Sequence, residues 1–368
     1  MQLKVEKTNT KVYFTDIFTS SLLAQCCKKK FAKVIILTDE NVSRLYKDKI
    51  LSYFNIYNIQ IHIIQIPAGE GSKTREVKMS IEDQMFQLGC GRDTLMLAFG
   101  GGVITDLAGF VAATFCRGVP AIYIPTTLLA MVDASLGGKT GVNTIFGKNT
   151  IGTFTEPQAV FMDMHFIFTL TDFDYWGAVA EIIKHALIHD INYFQKIEDN
   201  FDKLISKDLM YISDIIKKSC EIKASIVAED YKEVGKREIL NFGHTIAHAL
   251  EFVSEYQLPH GIAVAYGMIA EAYIANKLDL LAGEAFERIQ HIISLVLSQL
   301  NFKITFEHHK IIEALKYDKK NRDGSNRIVL LERIGSVYVD QNTYAHVVNI
   351  TIIDDAIKYL FTFLSRFC

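Results

Sequence analysis

The sequence predicts an α/β domain built on a parallel sheet, followed by a mostly α-helical domain. Three observations predict it. Short apolar runs in the first part each end in a polar or glycine-rich turn. Helical patterns separate those runs, as crossover connections between parallel strands require. Beyond about residue 165 the short runs give way to long helical periodicities. A chain of 368 residues is long for one domain, so we expect two, over 1–165 and 166–368.

Val34-Ile35-Ile36-Leu37 leads into Thr38-Asp39-Glu40-Asn41. The run from Ile61 to Ile66 leads into Pro67-Ala68-Gly69-Glu70, with Lys73 just beyond. Thr94 to Phe99 leads into Gly100-Gly101-Gly102, and Ala121 to Ile124 into Pro125-Thr126-Thr127. Each run reads as a buried strand of a Rossmann-like sheet, whose ligands gather at the carboxyl ends of the strands. The triple glycine opens a helix that carries Asp106. Backbone N–H groups there can approach a pyrophosphate. A triple glycine is also an ordinary tight turn; its company favours the nucleotide reading. Asp39 can accept from ribose hydroxyls, and Glu70, Lys73, Thr126 and Thr127 follow neighbouring strands. Arg117-Gly118 adds a cation before the fourth strand. From Asp133 to Asn149 there are four glycines, two lysines (Lys139, Lys148) and two asparagines (Asn143, Asn149). This segment reads as an anion-binding loop rather than plain surface.

In the second part we expect helices around Glu181, from Tyr211 to Ala228, from Asn241 to Phe252, from Gly261 to Leu278, from Glu287 to Leu300 and from Asp354 to Phe367. Arg327 to Asp340 reads as a small hairpin turning near Gly335. The stretch from Arg237 to His248 gathers two histidines, an arginine and an asparagine. His244 and His248 are spaced to share a helical face, with Asn241 and Arg237 about one and two turns earlier. His260-Gly261 follows, and Glu181 lies on an earlier apolar helix. Two histidines, a carboxylate and an open position suit a catalytic divalent ion, zinc first. A histidine is by default a core or surface residue, but an apolar core would not collect an arginine and an amide unpaired. Spacing leaves open whether His248 or His260 joins His244. Lys184, Lys223, Lys319 and Lys320 are further cations. Each alone is ordinary solvated surface, but the set suits a small substrate with two anionic groups, held in an interdomain cleft.

With 49% hydrophobic and 22% charged residues the chain can bury a large core, and its net charge of −3 argues against a general nucleic-acid or membrane-surface binder. The six cysteines form no C-x-x-C pair and are expected to be reduced, in a cytoplasmic protein. No signal peptide or membrane span is read in the sequence.

Taken together the motifs resemble the 3-dehydroquinate synthases, sugar-phosphate cyclases, from Thr38-Asp39 to Lys319-Lys320. The resemblance is carried by Gly-Gly-Gly-x-x-x-Asp-x-x-Gly, Arg117-Gly118, Pro125 to Ala130, Asp133 to Asn143, Ala180 to Lys184, Asn241-Phe242-Gly243-His244 and His260-Gly261. It implies Glu181, His244 and His260 as ligands of a divalent metal, zinc first and cobalt as the alternative, with His248 beside the metal. It implies NAD contacts at Asp39, Asn41, Glu70, Lys73, Gly101, Gly102, Asp106, Thr126, Thr127, Lys139, Lys148, Thr169 and Leu170. Catalytic roles fall on Lys139, Lys184, Lys223, Arg237, Asn241 and His248, and substrate binding on Arg117, Asp133, Asn149 and Lys319 or Lys320. Two departures stand out: Tyr175-Trp176-Gly177 replaces a common Arg-Asn-Gly, and Ile262 replaces a common Glu after His260-Gly261.

The implied reaction converts 3-deoxy-D-arabino-heptulosonate 7-phosphate to 3-dehydroquinate and phosphate, in the shikimate pathway. It runs through transient NAD-dependent oxidation, phosphate elimination, reduction and intramolecular aldol closure. A homodimer is the expected assembly. Another sugar-phosphate cyclase, such as a 2-deoxy-scyllo-inosose synthase, would share the cofactors but take a substrate without a carboxylate; Lys139, Lys223 and Arg237 favour a carboxylated one. A metal-dependent polyol dehydrogenase would need fewer cations and would release NADH.

Overall fold

Strands that are apolar on both faces must be covered on both sides, and the apolar runs of the first part are arranged accordingly. The computed structural model describes residues 2–4, 10–28, 31–301, 304–317 and 326–367. Lys319 and Lys320 lie outside the described residues. The chain divides into two units, Met1–Thr169 and Leu170–Cys368.

The first unit contains strands β1 (Gln2–Lys4), β2 (Lys11–Phe14), β3 (Lys33–Asp39), β4 (Ile61–Ile66), β5 (Thr94–Gly100), β6 (Ala121–Pro125), β7 (Lys139–Thr144), β8 (Gly147–Phe154) and β9 (Ala159–Met162). Seven of them form one sheet in the order β1-β2-β9-β6-β5-β3-β4. Every pairing in it is parallel except β1 with β2. β5 is buried along its whole length. Between the strands run helices α1 (Leu22–Lys28), α2 (Glu40–Ile56), α3 (Arg75–Gln87) and α4 (Gly102–Thr114). The chain passes from β3 outward to β4, then returns to β5 on the other side of β3. The strand order reverses there, and at such a point loops after adjacent strands diverge and open a crevice. Asp39 ends β3 and Gly100 ends β5, so both flank that crevice.

The expected anion-binding loop is largely a β-hairpin. Asp133 sits in a wide helical turn, Ala130–Ala134, and β7 then pairs antiparallel with β8. Repeated Gly and Thr hid the strand pattern, because the hairpin lacks an apolar alternation that sequence reading could detect.

The second unit consists of α5 (Asp172–His189), α6 (Ile191–Asp199), α7 (Phe201–Ile205), α8 (Leu209–Glu229), α9 (His244–Val253), α10 (His260–Lys277), α11 (Gly283–Leu297), α12 (His308–Tyr317) and α13 (Ile350–Leu364). α10 is buried almost throughout and packs against α5, α9, α11 and α13. A helix apolar on all sides belongs at the centre of a bundle. None of the described helices is long and apolar enough to cross a membrane.

Two expectations are corrected here. The helix predicted from Asn241 is broken: Lys236–Asn241 forms a short 3-10 turn, and Gly243 at φ 81° separates it from α9. Arg237 and Asn241 therefore do not continue the helical face of His244 and His248. The hairpin near Gly335 is shorter than expected. Strand β11 (Leu331–Arg333) pairs with β12 (Ser336–Val337), whereas β10 (Arg327–Val329) pairs with β13 (Ala345–Val347). The two departures from the family pattern are packing features. The Tyr175 hydroxyl donates to the Leu204 carbonyl at 2.8 Å, Trp176 stacks on Phe201, and Ile262 is fully buried. Cys27 and Cys220, neither in a disulfide, are buried too, and burial pushes both thiols up to about 12.

Candidate active site

Three helices of the second unit meet at backbone distance. A Cβ on Gly261 would lie 2.2 Å from the Gly177 carbonyl oxygen, and one on Gly267 would lie 1.8 Å from that of Gly243. Only glycine allows α10 to approach α5 and the start of α9 this closely. Each crossing abuts a polar residue. Glu181 lies one turn after Gly177, His244 follows Gly243, and His260 precedes Gly261.

The crossings bring three donor groups together. One ligand atom from each of Glu181, His244 and His260 lies within 4.8 Å of the others. Glu181 Oε1 is 3.5 Å from His244 Nε2 and 3.6 Å from His260 Nε2. Donors placed tetrahedrally about 2.1 Å from an ion are about 3.4 Å apart, so the spacing fits a zinc-sized cation. Glu181 is only 1% exposed. Lys184 forms an ion pair with its Oε2, yet neither carboxylate oxygen receives a well-directed hydrogen bond. A buried carboxylate left so lightly satisfied suits a cation, because unpaired burial of charge is costly. The His248 ring centroid is 5.6 Å from that of His244 and 6.3 Å from that of His260. It borders the donor group without joining it.

A carboxylate absent from the sequence reading holds the start of α9. Glu271, fully buried in α10, accepts from the Gly243 N–H at 2.6 Å and the Ile246 N–H at 3.4 Å. Gly243 has no side chain to cap the helix, and Glu271 takes that role from the neighbouring helix. The signal was available: Glu271 is the lone acid in an otherwise apolar helix.

Arg237 is 2% exposed; its guanidinium donates to the Tyr231 carbonyl at 2.6 Å. Asp230 shapes this segment by accepting from the N–H groups of Val234, Gly235 and Arg237. Burial alone would raise its pKa, but those three bonds hold it below the ordinary carboxylate value. Asn241 donates to Glu233, a residue the sequence reading passed over. Lys223 is buried on α8.

In the first unit the site residues are held differently. Asp39 caps α2, accepting from Asn41 and Val42 N–H groups at 2.9 and 3.0 Å, so one oxygen expected to face a ribose is already engaged. α4 starts at Gly101 with no side-chain cap. Thr126 donates its N–H to the Gly100 carbonyl, and Thr127 packs beside Gly101. Lys73 is 4% exposed and contacts Asp106 and Asn149, each at 2.5 Å. Burial pushes the Asp106 carboxyl up, opposed by the Lys73 ammonium. Asn143 joins the network by donating to Glu70 at 2.7 Å. Residues assigned separately to cofactor (Glu70, Lys73, Asp106) and to substrate (Asn149) therefore form one cluster.

Other predicted residues stand apart. Arg117 is exposed beyond the far end of α4, a 13-residue helix about 20 Å long. Lys139 is exposed at the start of β7, and Lys148 is half-buried in β8. Thr169 contacts the Tyr46 hydroxyl at 2.9 Å, and Leu170 opens the second unit.

The chain matches the profile "3-dehydroquinate synthase N-terminal" over residues 63–175 and "3-dehydroquinate synthase C-terminal" over 178–321. It is 41% identical to the 3-dehydroquinate synthase of Thermoanaerobacter pseudethanolicus, over 89% of this chain and 92% of that one. Among solved structures it resembles a 2-deoxy-scyllo-inosose synthase complexed with carbaglucose-6-phosphate, NAD+ and Co2+. The TM-score is 0.86 at 25% identity, covering 98% of this chain and 99% of the other. It also resembles a 2-epi-5-epi-valiolone synthase from Streptomyces hygroscopicus with NAD+ and Zn2+ bound, with a TM-score of 0.86 at 26% identity over 97% and 98%. Matched by both profiles across the glycine turn and the donor triad, and by a relative over most of its length, this chain belongs to the 3-dehydroquinate synthase family.

Proposed function

We propose that the chain converts 3-deoxy-D-arabino-heptulosonate 7-phosphate to 3-dehydroquinate and phosphate, with NAD and a divalent metal. The observation that carries the reading is the triad of buried Glu181 with His244 and His260, spaced for a tetrahedral ion, in a member of this family. Bound NAD would supply a transient oxidation and its reversal, and the ion would polarise the substrate hydroxyls. Zinc suits a carboxylate and two imidazoles, and the related cyclase with Co2+ supports cobalt as the alternative.

The protein's own residues would bind and orient. The first-turn N–H groups of α4, at Gly101-Gly102, would receive the cofactor's pyrophosphate. Asp39 keeps one carboxylate oxygen for a ribose hydroxyl. Thr126, Thr127 and the cluster of Glu70, Lys73 and Asp106 would frame the same cofactor, with Asn41, Lys148, Thr169 and Leu170 at its margins. In the second unit Arg237, held by Tyr231 and Asp230, presents a fixed cation for a substrate carboxylate. Lys184 and Lys223 supply further positive charge, and Asn241 and His248 would hold or move protons at the substrate hydroxyls. Asp133, Lys139 and Asn149 complete the substrate contacts we propose for the first unit, whereas Arg117, beyond the far end of α4, does not reach them within one chain.

Incubation with the heptulosonate phosphate, NAD and Zn2+, followed by phosphate and 3-dehydroquinate assays, tests the reading. Equal release of both products without accumulation of NADH is expected. NADH accumulating in step with turnover would show a plain dehydrogenase instead.

A further inference from the structure

We propose that Glu251 is a positioning residue for His260: its carboxylate receives the imidazole Nδ1–H and so presents Nε2 to the cation site. The inference rests on the metal-centre reading above and deepens it.

The two ring nitrogens of His260 face two different carboxylates. Nε2 points to Glu181 Oε1 at 3.6 Å, and Nδ1 lies 3.4 Å from Glu251 Oε2. A neutral imidazole carries one N–H, and a metal ligand must offer the other nitrogen bare. An ionised carboxylate can only accept. Glu251 therefore favours the proton on Nδ1 and leaves the Nε2 lone pair directed toward Glu181 and His244. His260 needs such help. It is the first residue of α10, preceded by Pro259, and its side chain is 33% exposed, so packing alone does not fix the ring. The companion ligand is treated in the same way. His244 Nδ1 lies 3.2 Å from the Phe242 carbonyl oxygen, an acceptor that also selects the Nδ1–H form. Both histidines of the triad thus have an acceptor behind them, one from the backbone and one from Glu251.

Glu251 stands in an unfavourable place for a carboxylate. It is 2% exposed, in the last turn of α9, where the helix dipole opposes an anion. It lies seven residues after His244, on the same face of that helix, so it ties α9 to the start of α10 next to the donor group. A residue that breaks local preference in this way is expected where function requires it.

The test uses the full-length protein, stripped by chelation and titrated with Co2+, whose visible absorption reports coordination. Glu251→Met keeps the bulk and removes the acceptor. It should weaken Co2+ binding by about 10–100-fold and alter the visible band. Glu251→Gln, whose amide oxygen can still accept from Nδ1–H, should recover most of the affinity and the parent spectrum. NAD affinity should stay unchanged in both. A folded Glu251→Met protein with the parent's Co2+ affinity and band overturns the inference. Should that variant not fold, the parent decides: in the protein loaded with Zn2+, nitrogen-15 spectra of His260 should show a protonated Nδ1 and a metal-bound Nε2, and a metal-bound Nδ1 overturns the inference. A parent that binds no Co2+ fails differently, because the metal-centre reading then falls and takes this one with it.

Discussion

Helices α4 and α9 both begin at a glycine that cannot cap them, and the two ends are finished in opposite ways. At Gly101 no side chain caps α4, so its first-turn N–H groups face the crevice between β3 and β5. At the start of α9 the Gly243 and Ile246 N–H groups are instead taken by Glu271 from within the bundle. The first four N–H groups of any helix lack intrahelical partners and carry partial positive charge. Left open, they can hold a phosphate; closed by a buried carboxylate, they lock the residue that follows. Here that residue is His244. On the proposed reading the same local device would serve an exchanging ligand in one unit and a fixed side-chain geometry in the other.

Experiments can break this contrast. The largest effect is expected from Glu181→Ala. Both members of the Glu181–Lys184 pair are about 1% exposed, and removing the carboxylate strands a buried ammonium. Stability should fall by about 3–5 kcal/mol in denaturant unfolding, and Co2+ titration should show no site. Next comes Glu271→Gln, which keeps the shape and loses the charge. A loss of about 1.5–3 kcal/mol is expected, with weaker Co2+ binding as the start of α9 loosens. Unchanged metal affinity would mean that the cap does not control His244.

Gly101→Asp sharpens the comparison by giving α4 the plug that α9 has. Its extended backbone, φ −75° and ψ −168°, accepts a side chain, although a Cβ would press Thr127 at 3.0 Å. Stability should change by less than about 1 kcal/mol, whereas NAD affinity by calorimetry should fall roughly tenfold or more, because the carboxylate occupies the anion's donors. An unchanged NAD affinity would place the pyrophosphate elsewhere. The smallest effect concerns acid. The Asp230 carboxyl lies below its ordinary value of 3.8, so its contribution is complete above that value and is lost as pH falls through the depressed folded value. Amide exchange at Val234, Gly235 and Arg237 should speed up in that acid range while exchange in the core of α10 does not.

The central strands β3 to β6 of the parallel sheet were legible because they are continuous apolar runs followed by polar or glycine turns near Asp39, Glu70, Gly100 and Thr126, whereas β1, β2 and β9 were not predicted. The β7–β8 hairpin was not legible, since Gly and Thr carry no apolar alternation. In the helical unit the residue types were legible and their assembly was not. Spacing suggested one helical face from Arg237 to His248, but Gly243 ends that face to bring its carbonyl against Gly267. Close approach of two backbones depends on residues far apart in sequence, and a single strand of text does not show which glycines meet. Glu251 and Glu271 were passed over for a related reason: a lone acid in an apolar helix looks like a misplaced surface residue until its partner is known. Lys319 and Lys320 remain known from sequence only.

The pairing of β2 with β9 sets Lys11 against Ala159. During synthesis β2 therefore emerges long before β9 exists. Elongation at about 5–20 residues per second puts roughly seven to thirty seconds between the two. Through that interval Lys11–Phe14 has an open edge and no sheet to join, so completion of the first unit waits on its last strand, and holding that segment from unwanted pairing is work for whatever attends the nascent chain.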